Sequence, residues 1–408
     1  MITGKATTQK GNRLMKVLYS LLLLSLLVLL LFSVLFTWRP ELIRVVEYQI
    51  PDENTYKAYP QTRVEPAGTP FHFVRAGVNR DDLDTIQVRD GKNKWLSFKA
   101  YCEEGKTDVF MVIRNDTIIY QHFSPGHADT TLTTLFSVAK TMVSIMLGQA
   151  LDEGKIKSLN DHLTRYVPQL KSNPAFKDIT IQHLLSMKSG LEFEDVSGGY
   201  VSAFLSDEGK YYYTEDIKKE LAAIKLVNKP GTVWKYKSVD AFLLTWAIEQ
   251  ATGKRISRYF QDNVWKQIGT AYPASWGLDH LNGLANTASR FQCTAIDLAK
   301  IGRLYLHNGT YEGRQIVPRD WVSRSLSQGT ETPSTAKGWQ RSTQHYLWWL
   351  PQQGAKGDYA AEGMRGQRLY VDPTTNTIIV QFARGGAGDY PYRKVSKYLS
   401  GQPFKYPN

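Results

Sequence analysis

Val17 to Trp38 is a run of 22 residues, mostly Leu, Val, Phe and Ser, with no charge. As a helix it is roughly 33 Å long, enough to cross a bilayer core. No other stretch limits the chain so strongly, because it divides the protein between two solvents. Lys5, Lys10, Arg13 and Lys16 precede it and no acidic residue does. The positive-inside rule therefore places residues 1–16 in the cytoplasm and everything after residue 38 outside. A cleaved signal peptide is the alternative. The apolar core is long for one, and no small-x-small site precedes Arg39-Pro40. The expectation is an uncleaved signal anchor: a single pass through the inner membrane with the rest of the chain on the periplasmic side.

The chain has 408 residues, 42% hydrophobic and 22% charged, so the part beyond the anchor is expected to be globular, with two packed lobes. The net charge of +12 accompanies no nucleic-acid motif. A basic surface near anionic lipid or cell-wall polymer is the simpler reading. Cys102 and Cys293 form neither a disulfide framework nor a metal-ligand spacing, and whether they meet is left open.

Within the globular part, chemistry concentrates at Ser137-Val138-Ala139-Lys140. If Ser137 opens a helix, residues i and i+3 share a face and the lysine amine reaches the serine hydroxyl. Serine is a poor nucleophile without such a base. The positive end of the helix favours a neutral lysine and an oxyanion formed at Ser137. Ser-x-x-Lys recurs by chance, and its bland reading is an N-cap followed by a solvated lysine. Val138, Ala139, Met142, Val143, Ile145, Met146 and Leu147 argue otherwise, since they make the helix apolar nearly all round and hence buried.

The remaining segments are read in order. Residues 39–95, broken by Pro51, Pro60, Pro66 and Pro70, form a tether and domain edge, and 96–408 the domain proper. Asp108–Arg114 and Thr117–Tyr120 flank Asn115-Asp116 as a two-residue β-hairpin. Thr180 caps a short helix that stops at Gly190, with His183 as a structural histidine. Residues 192–210 are a loop and 211–227 helical. Pro230-Gly231 turns the chain into a segment carrying Tyr236, followed by a helix from Val239 to Thr252. Thr294 and Asp297 open another helix. Arg368–Asp372 and Thr377–Ala383 make a second hairpin, and Tyr390–Ser400 a last helix. Strands at both ends with helices between them imply an α+β fold: one antiparallel sheet built from both ends, flanked by helices, with an inserted all-helical region.

Several of these pieces together resemble the serine β-lactamase and penicillin-binding-protein superfamily over roughly residues 95–400. They are Phe136-Ser137-x-x-Lys140, Ile179-Thr180-Ile181-x-His183-Leu184-Leu185 ending in Ser189-Gly190-Leu191, Pro230-Gly231-Thr232-x-Trp234-x-Tyr236, Asp297–Gly302 and Trp348-Trp349-Leu350. Tyr236-Lys237-Ser238, and Glu362–Gln367 in place of a Lys-Thr-Gly box, are similar to the class C-like branch, and there to 6-aminohexanoate-dimer hydrolases and related esterases.

The resemblance implies a β-lactamase-like fold with Ser137 as nucleophile, Lys140 as base and Tyr236 as proton relay. The backbone N–H groups of Ser137 and Met364 would form the oxyanion hole, and Tyr200, Ser238 and Arg365 would contact substrate. The chemistry needs no metal or organic cofactor. The expected partner is a small amide or ester, of cell-wall or other origin. Without Lys-Thr-Gly, the usual cation for a substrate carboxylate is missing, so efficient β-lactam hydrolysis is not expected. Two alternatives stay open: a catalytically weak protein of this fold that binds cell-wall peptide or a protein partner, and a penicillin-binding peptidase or β-lactamase proper.

Overall fold

The computed structural model describes residues 4–38, 41–48, 51–89, 94–194, 206–327, 342–351, 357–385 and 391–401. The chain divides into two compact units. The smaller comprises Met1–Ile50 and Val196–Glu215; the larger comprises Pro51–Asp195 and Asp216–Asn408.

In the smaller unit, helix α1 (Gly4–Trp38) contains the apolar run, and Met15–Thr37 is long and apolar enough to cross a membrane. Helix α2 (Glu41–Tyr48) comes next. Its Arg44 pairs with Glu215 at 2.5 Å and donates to the Tyr213 carbonyl at the end of Asp207–Tyr213.

The larger unit is built on an eight-stranded sheet. Its strands β2 (Val74–Arg75), β3 (Thr107–Arg114) and β4 (Thr117–Phe123) come from the N-terminal side. A four-stranded sheet takes β1 (Gln61–Val64), β5 (Thr133–Thr134), β6 (Ala274–Gly277) and β7 (Phe291–Cys293). The C-terminal side supplies β8 (Ser342–His345), β9 (Trp348–Pro351), β10 (Tyr359–Gly363), β11 (Gln367–Asp372) and β12 (Thr377–Ala383) to the large sheet. Its order is β8-β9-β10-β11-β12-β3-β4-β2, and the small sheet runs β1-β6-β7-β5. Pairing of β12 with β3, from Thr377 opposite Arg114 to Ala383 opposite Thr107, joins the two ends of the domain as expected. The fold is β-lactamase-like.

Local chemistry explains the two hairpins. Asn115 and Asp116 both take positive φ (51° and 57°), the conformation a two-residue turn needs to match strand twist. At the second hairpin, one Asp372 carboxylate oxygen accepts from the Thr374 N–H and hydroxyl. One face of the large sheet packs Phe110, Val112, Tyr120, Tyr370 and Ile379 against Phe98 and Tyr101 of α3 (Phe98–Glu104) and against Tyr392 and Val395 of the last helix.

The structure departs from the expectation at four places. The sheet is not wholly antiparallel, since β2 pairs with β4 in parallel. The segment read as tether and domain edge supplies β1 and β2, the former paired with β6. The inserted region is not all-helical, because β5, β6 and β7 lie in it; strands of two to four residues are too short to show a period of two. Finally, the helix capped by Thr180 ends at Leu185, not Gly190, because Met187 turns to φ 55°. Gly190 (φ 76°) instead lets the chain approach residue 228, where a Cβ would lie 2.0 Å from the Asn228 carbonyl oxygen.

Candidate active site

Ser137 lies in a single 3-10 turn, Phe136–Val138, that runs into α4 (Ala139–Asp152). From Thr133 to Ala150 every residue except Ser137 is buried. An apolar helix has been driven into the core with one hydroxyl left at its mouth. Phe136 takes φ 47°, a left-handed conformation that costs a bulky residue roughly 1–3 kcal/mol and persists only where packing imposes it. The turn thus sets the direction of the Ser137 side chain.

Lys140 is 1% exposed. Its Nζ donates to Ser137 Oγ at 2.9 Å and to the Ala288 carbonyl at 3.0 Å. The spacing of three residues places amine and hydroxyl on one face, as the sequence implied. The Ala288 carbonyl has no sequence signature, since any residue supplies one.

Tyr236 stands in the extended segment before α7 (Ser238–Thr252; α5 is Ile181–Leu185 and α6 is Asp207–Tyr213). Lys140 Nζ lies 4.9 Å from the centroid of its ring. Trp349 of β9 stacks on the same ring, with centroids 5.8 Å apart and planes at 29°. The structure therefore brings Ser137, Lys140 and Tyr236 together from two segments about a hundred residues apart.

Below Tyr236, Lys237 Nζ and Asp240 Oδ2 are 3.9 Å apart and both side chains are buried. Burial pushes the Asp240 pKa up to about 6, against the opposing pull of Lys237 and of Ser189. A Lys and an Asp three apart at a helix start were visible in the sequence, but nothing there marked them as buried.

The end of β10 meets the Ser137 turn. A Cβ on Gly363 would lie 2.2 Å from the Leu135 carbonyl oxygen and 3.2 Å from Ser137 N, so only glycine permits this approach. Met364, with an exposed side chain, is the next residue. Arg365 takes φ 61°, and its Nε donates to the Pro51 carbonyl at 2.9 Å. Ser238, expected at the substrate, is fully buried with its hydroxyl unpartnered. Tyr200 lies outside the described residues.

Other singled-out groups are structural. His183 closes a capping box, its Nδ1 accepting from the Thr180 N–H. Asp297, at the start of α8 (Ala295–Leu306), accepts from the Ala271 and Tyr272 N–H groups and pairs with Lys300 at 2.9 Å. Both thiols are free and buried, and burial raises their pKa values, so neither is a poised nucleophile.

Comparison with known proteins identifies the family and the fold. The family model described as Beta-lactamase matches residues 102–396. The 6-aminohexanoate-dimer hydrolase of Paenarthrobacter ureafaciens is 26% identical over 293 residues, covering 69% of this chain and 73% of that one. A D-alanyl-D-alanine-carboxypeptidase/endopeptidase of Escherichia coli is 28% identical over 144 residues, 34% of this chain and 35% of that one. Among solved structures, a Bacillus anthracis protein provisionally assigned as a 6-aminohexanoate-dimer hydrolase superposes with a TM-score of 0.73 at 23% identity, covering 85% of this chain and 92% of that one. A family VIII carboxylesterase gives 0.57 at 18% identity, covering 73% and 93%. The matched span includes the Ser137 turn, Tyr236 and the β10 edge in one fold, and the chain belongs to the β-lactamase family of serine hydrolases.

Proposed function

We propose that the protein is a membrane-anchored serine hydrolase that cleaves amide or ester bonds through an acyl-enzyme on Ser137. The observation that carries this reading is the 2.9 Å contact between Lys140 Nζ and Ser137 Oγ, the one side chain between Thr133 and Ala150 that is not buried. A buried lysine whose hydrogen-bond partners are a hydroxyl and a carbonyl has a task beyond packing.

The proposed steps follow from the placement of Lys140 beside Ser137 and Tyr236. With the amine neutral, the Ser137 O–H donates to Lys140 Nζ, and the proton moves there as Oγ attacks the substrate carbonyl carbon. The carbonyl π pair moves to oxygen, and the oxyanion is held by the backbone N–H groups of Ser137 and Met364. Tyr236, beside the amine, passes the proton to the leaving nitrogen or oxygen as that bond breaks. Water then attacks the acyl-enzyme, giving its proton to Lys140, and Ser137 leaves with a proton restored. The Ala288 carbonyl holds Nζ in line throughout.

The substrate class is a small amide or ester, the bond types implied by the names of the hydrolase, carboxypeptidase and carboxylesterase relatives. The apolar helix α1 is read as the anchor, with Lys5, Lys10, Arg13 and Lys16 on the cytoplasmic side and the catalytic unit outside.

The test is intact mass after a fluorophosphonate probe. Wild type should gain one adduct and Ser137→Ala none. A folded wild type with no adduct would sink the reading. Stable acylation by a labelled penicillin would move it toward a penicillin-binding peptidase.

A further inference from the structure

Residues 51–60 make contacts close in sequence to three parts of the proposed site: Met364, Ser137 and the Ala288 carbonyl. The Pro51 carbonyl accepts from Arg365 Nε at 2.9 Å, one residue beyond Met364. The Glu53 carbonyl accepts from Thr134 Oγ1 at 3.1 Å, three residues before Ser137. The Tyr59 ring lies 3.2 Å from the Arg290 guanidinium, two residues beyond the Ala288 carbonyl that holds Lys140. The Pro60 carbonyl accepts from the Leu278 N–H.

The segment is itself stiff. Asp52 Oδ1 accepts from the Asn54 N–H (2.9 Å), the Thr55 N–H (2.7 Å) and the Thr55 hydroxyl (2.7 Å), and Pro51 and Thr55 are buried. Burial works against the Asp52 carboxylate, but these bonds and the Arg365 charge hold its pKa below the usual value.

Arg365 is the residue in question. Bulky residues at φ 61° need outside support, and the chain supplies it through the guanidinium. We propose that residues 51–60 are a strap that positions the oxyanion site, with Arg365 acting as a positioning residue that locks the Met364–Arg365 turn onto the Pro51 carbonyl rather than as a ligand for substrate. This rests on the reading of Met364 as an oxyanion donor. It has a consequence for the anchor: the first residues of the catalytic unit after the membrane segment help to shape its active site.

The full chain in detergent micelles provides the test, with a neutral aryl ester and an ester carrying an acyl-chain carboxylate as substrates. Arg365→Ala should lower kcat about 10- to 100-fold on both, the scale of weakening one oxyanion donor. KM should stay within about threefold, since transition-state stabilisation alone is lost. Fluorophosphonate labelling of Ser137 should slow by a similar factor. Arg365→Lys, which keeps a cationic donor on a long side chain, should recover most of the loss. If Arg365→Ala does not fold, Arg365→Met keeps the length without a donor and is judged by the same criteria.

A KM increase confined to the carboxylate ester would overturn the strap and make Arg365 a substrate ligand. Unchanged kcat with a normally labelled wild type would overturn the strap alone. No adduct on wild type would remove the proposed function and the strap with it.

Discussion

At the scale of single residues, burial gives ordinary side chains their roles. Lys140 is buried and donates to two acceptors, Ser137 Oγ and the Ala288 carbonyl, which place its amine beside the serine hydroxyl. Lys140→Met keeps the bulk and removes the base; kcat for ester hydrolysis should fall about 10²- to 10⁴-fold, the usual worth of a positioned base. Tyr236→Phe keeps the stack on Trp349 and removes the relay. It should lower kcat by about 10²-fold, with a larger loss on amides than on aryl esters, whose leaving groups need little protonation.

Asp240 gives a pH signature. Its pKa rises from 3.8 to about 6 on folding, chiefly through burial. Below pH 3.8 both states hold the proton and its contribution is fully present. As pH rises toward 6 the unfolded chain ionises first, and about 3 kcal/mol is lost. Unfolding free energies measured between pH 4 and 6.5 should show this decline in wild type. Asp240→Asn should flatten it, at the cost of leaving Lys237 buried without its partner.

At the scale of elements, the decisive contact is the end of β10 against the 3-10 turn before α4. Gly363→Ala would place a methyl 2.2 Å from the Leu135 carbonyl oxygen, so strand and turn must separate. Both kcat and the melting temperature should drop, whereas Lys140→Met should affect kcat far more. Comparing the two by circular dichroism and ester kinetics separates positioning from chemistry. The sequence was readable here wherever the chain makes its own structure. The Asn115-Asp116 turn, the turn between Asp372 and Thr377 and the Thr180 and Thr294 caps all rest on local bonds. The helix expected to reach Gly190 ended five residues early, because the 186–190 loop is tied to 228–235 through Gly231 N to the Lys188 carbonyl and Lys235 N to the Met187 carbonyl. Such ties between distant residues have no local signal.

At the scale of the whole molecule, the division into units sets which parts can be removed. The larger unit begins at Pro51, and the apolar Met15–Thr37 belongs to the smaller one. A chain beginning at residue 39 should remain in buffer without detergent and keep its activity. One beginning at residue 61 loses the strap and should lose kcat while retaining the large sheet, as read by its far-ultraviolet circular dichroism.

The apolar span, the pairing of Ser137 with Lys140, the two hairpins and the meeting of both ends of the domain in one sheet were legible from the order of residues alone. The first three depend on periodicity, turn chemistry or helical spacing, which act over a few residues, and the last on the order of strands and helices along the chain. Tertiary packing was needed to stand Tyr236 over Lys140, to seat β10 against Ser137 at Gly363, to bury Ser238, and to bind Arg365 to Pro51. Those relations join residues 96 to 314 positions apart, and are fixed by the packing of elements and by backbone carbonyls that every residue carries alike.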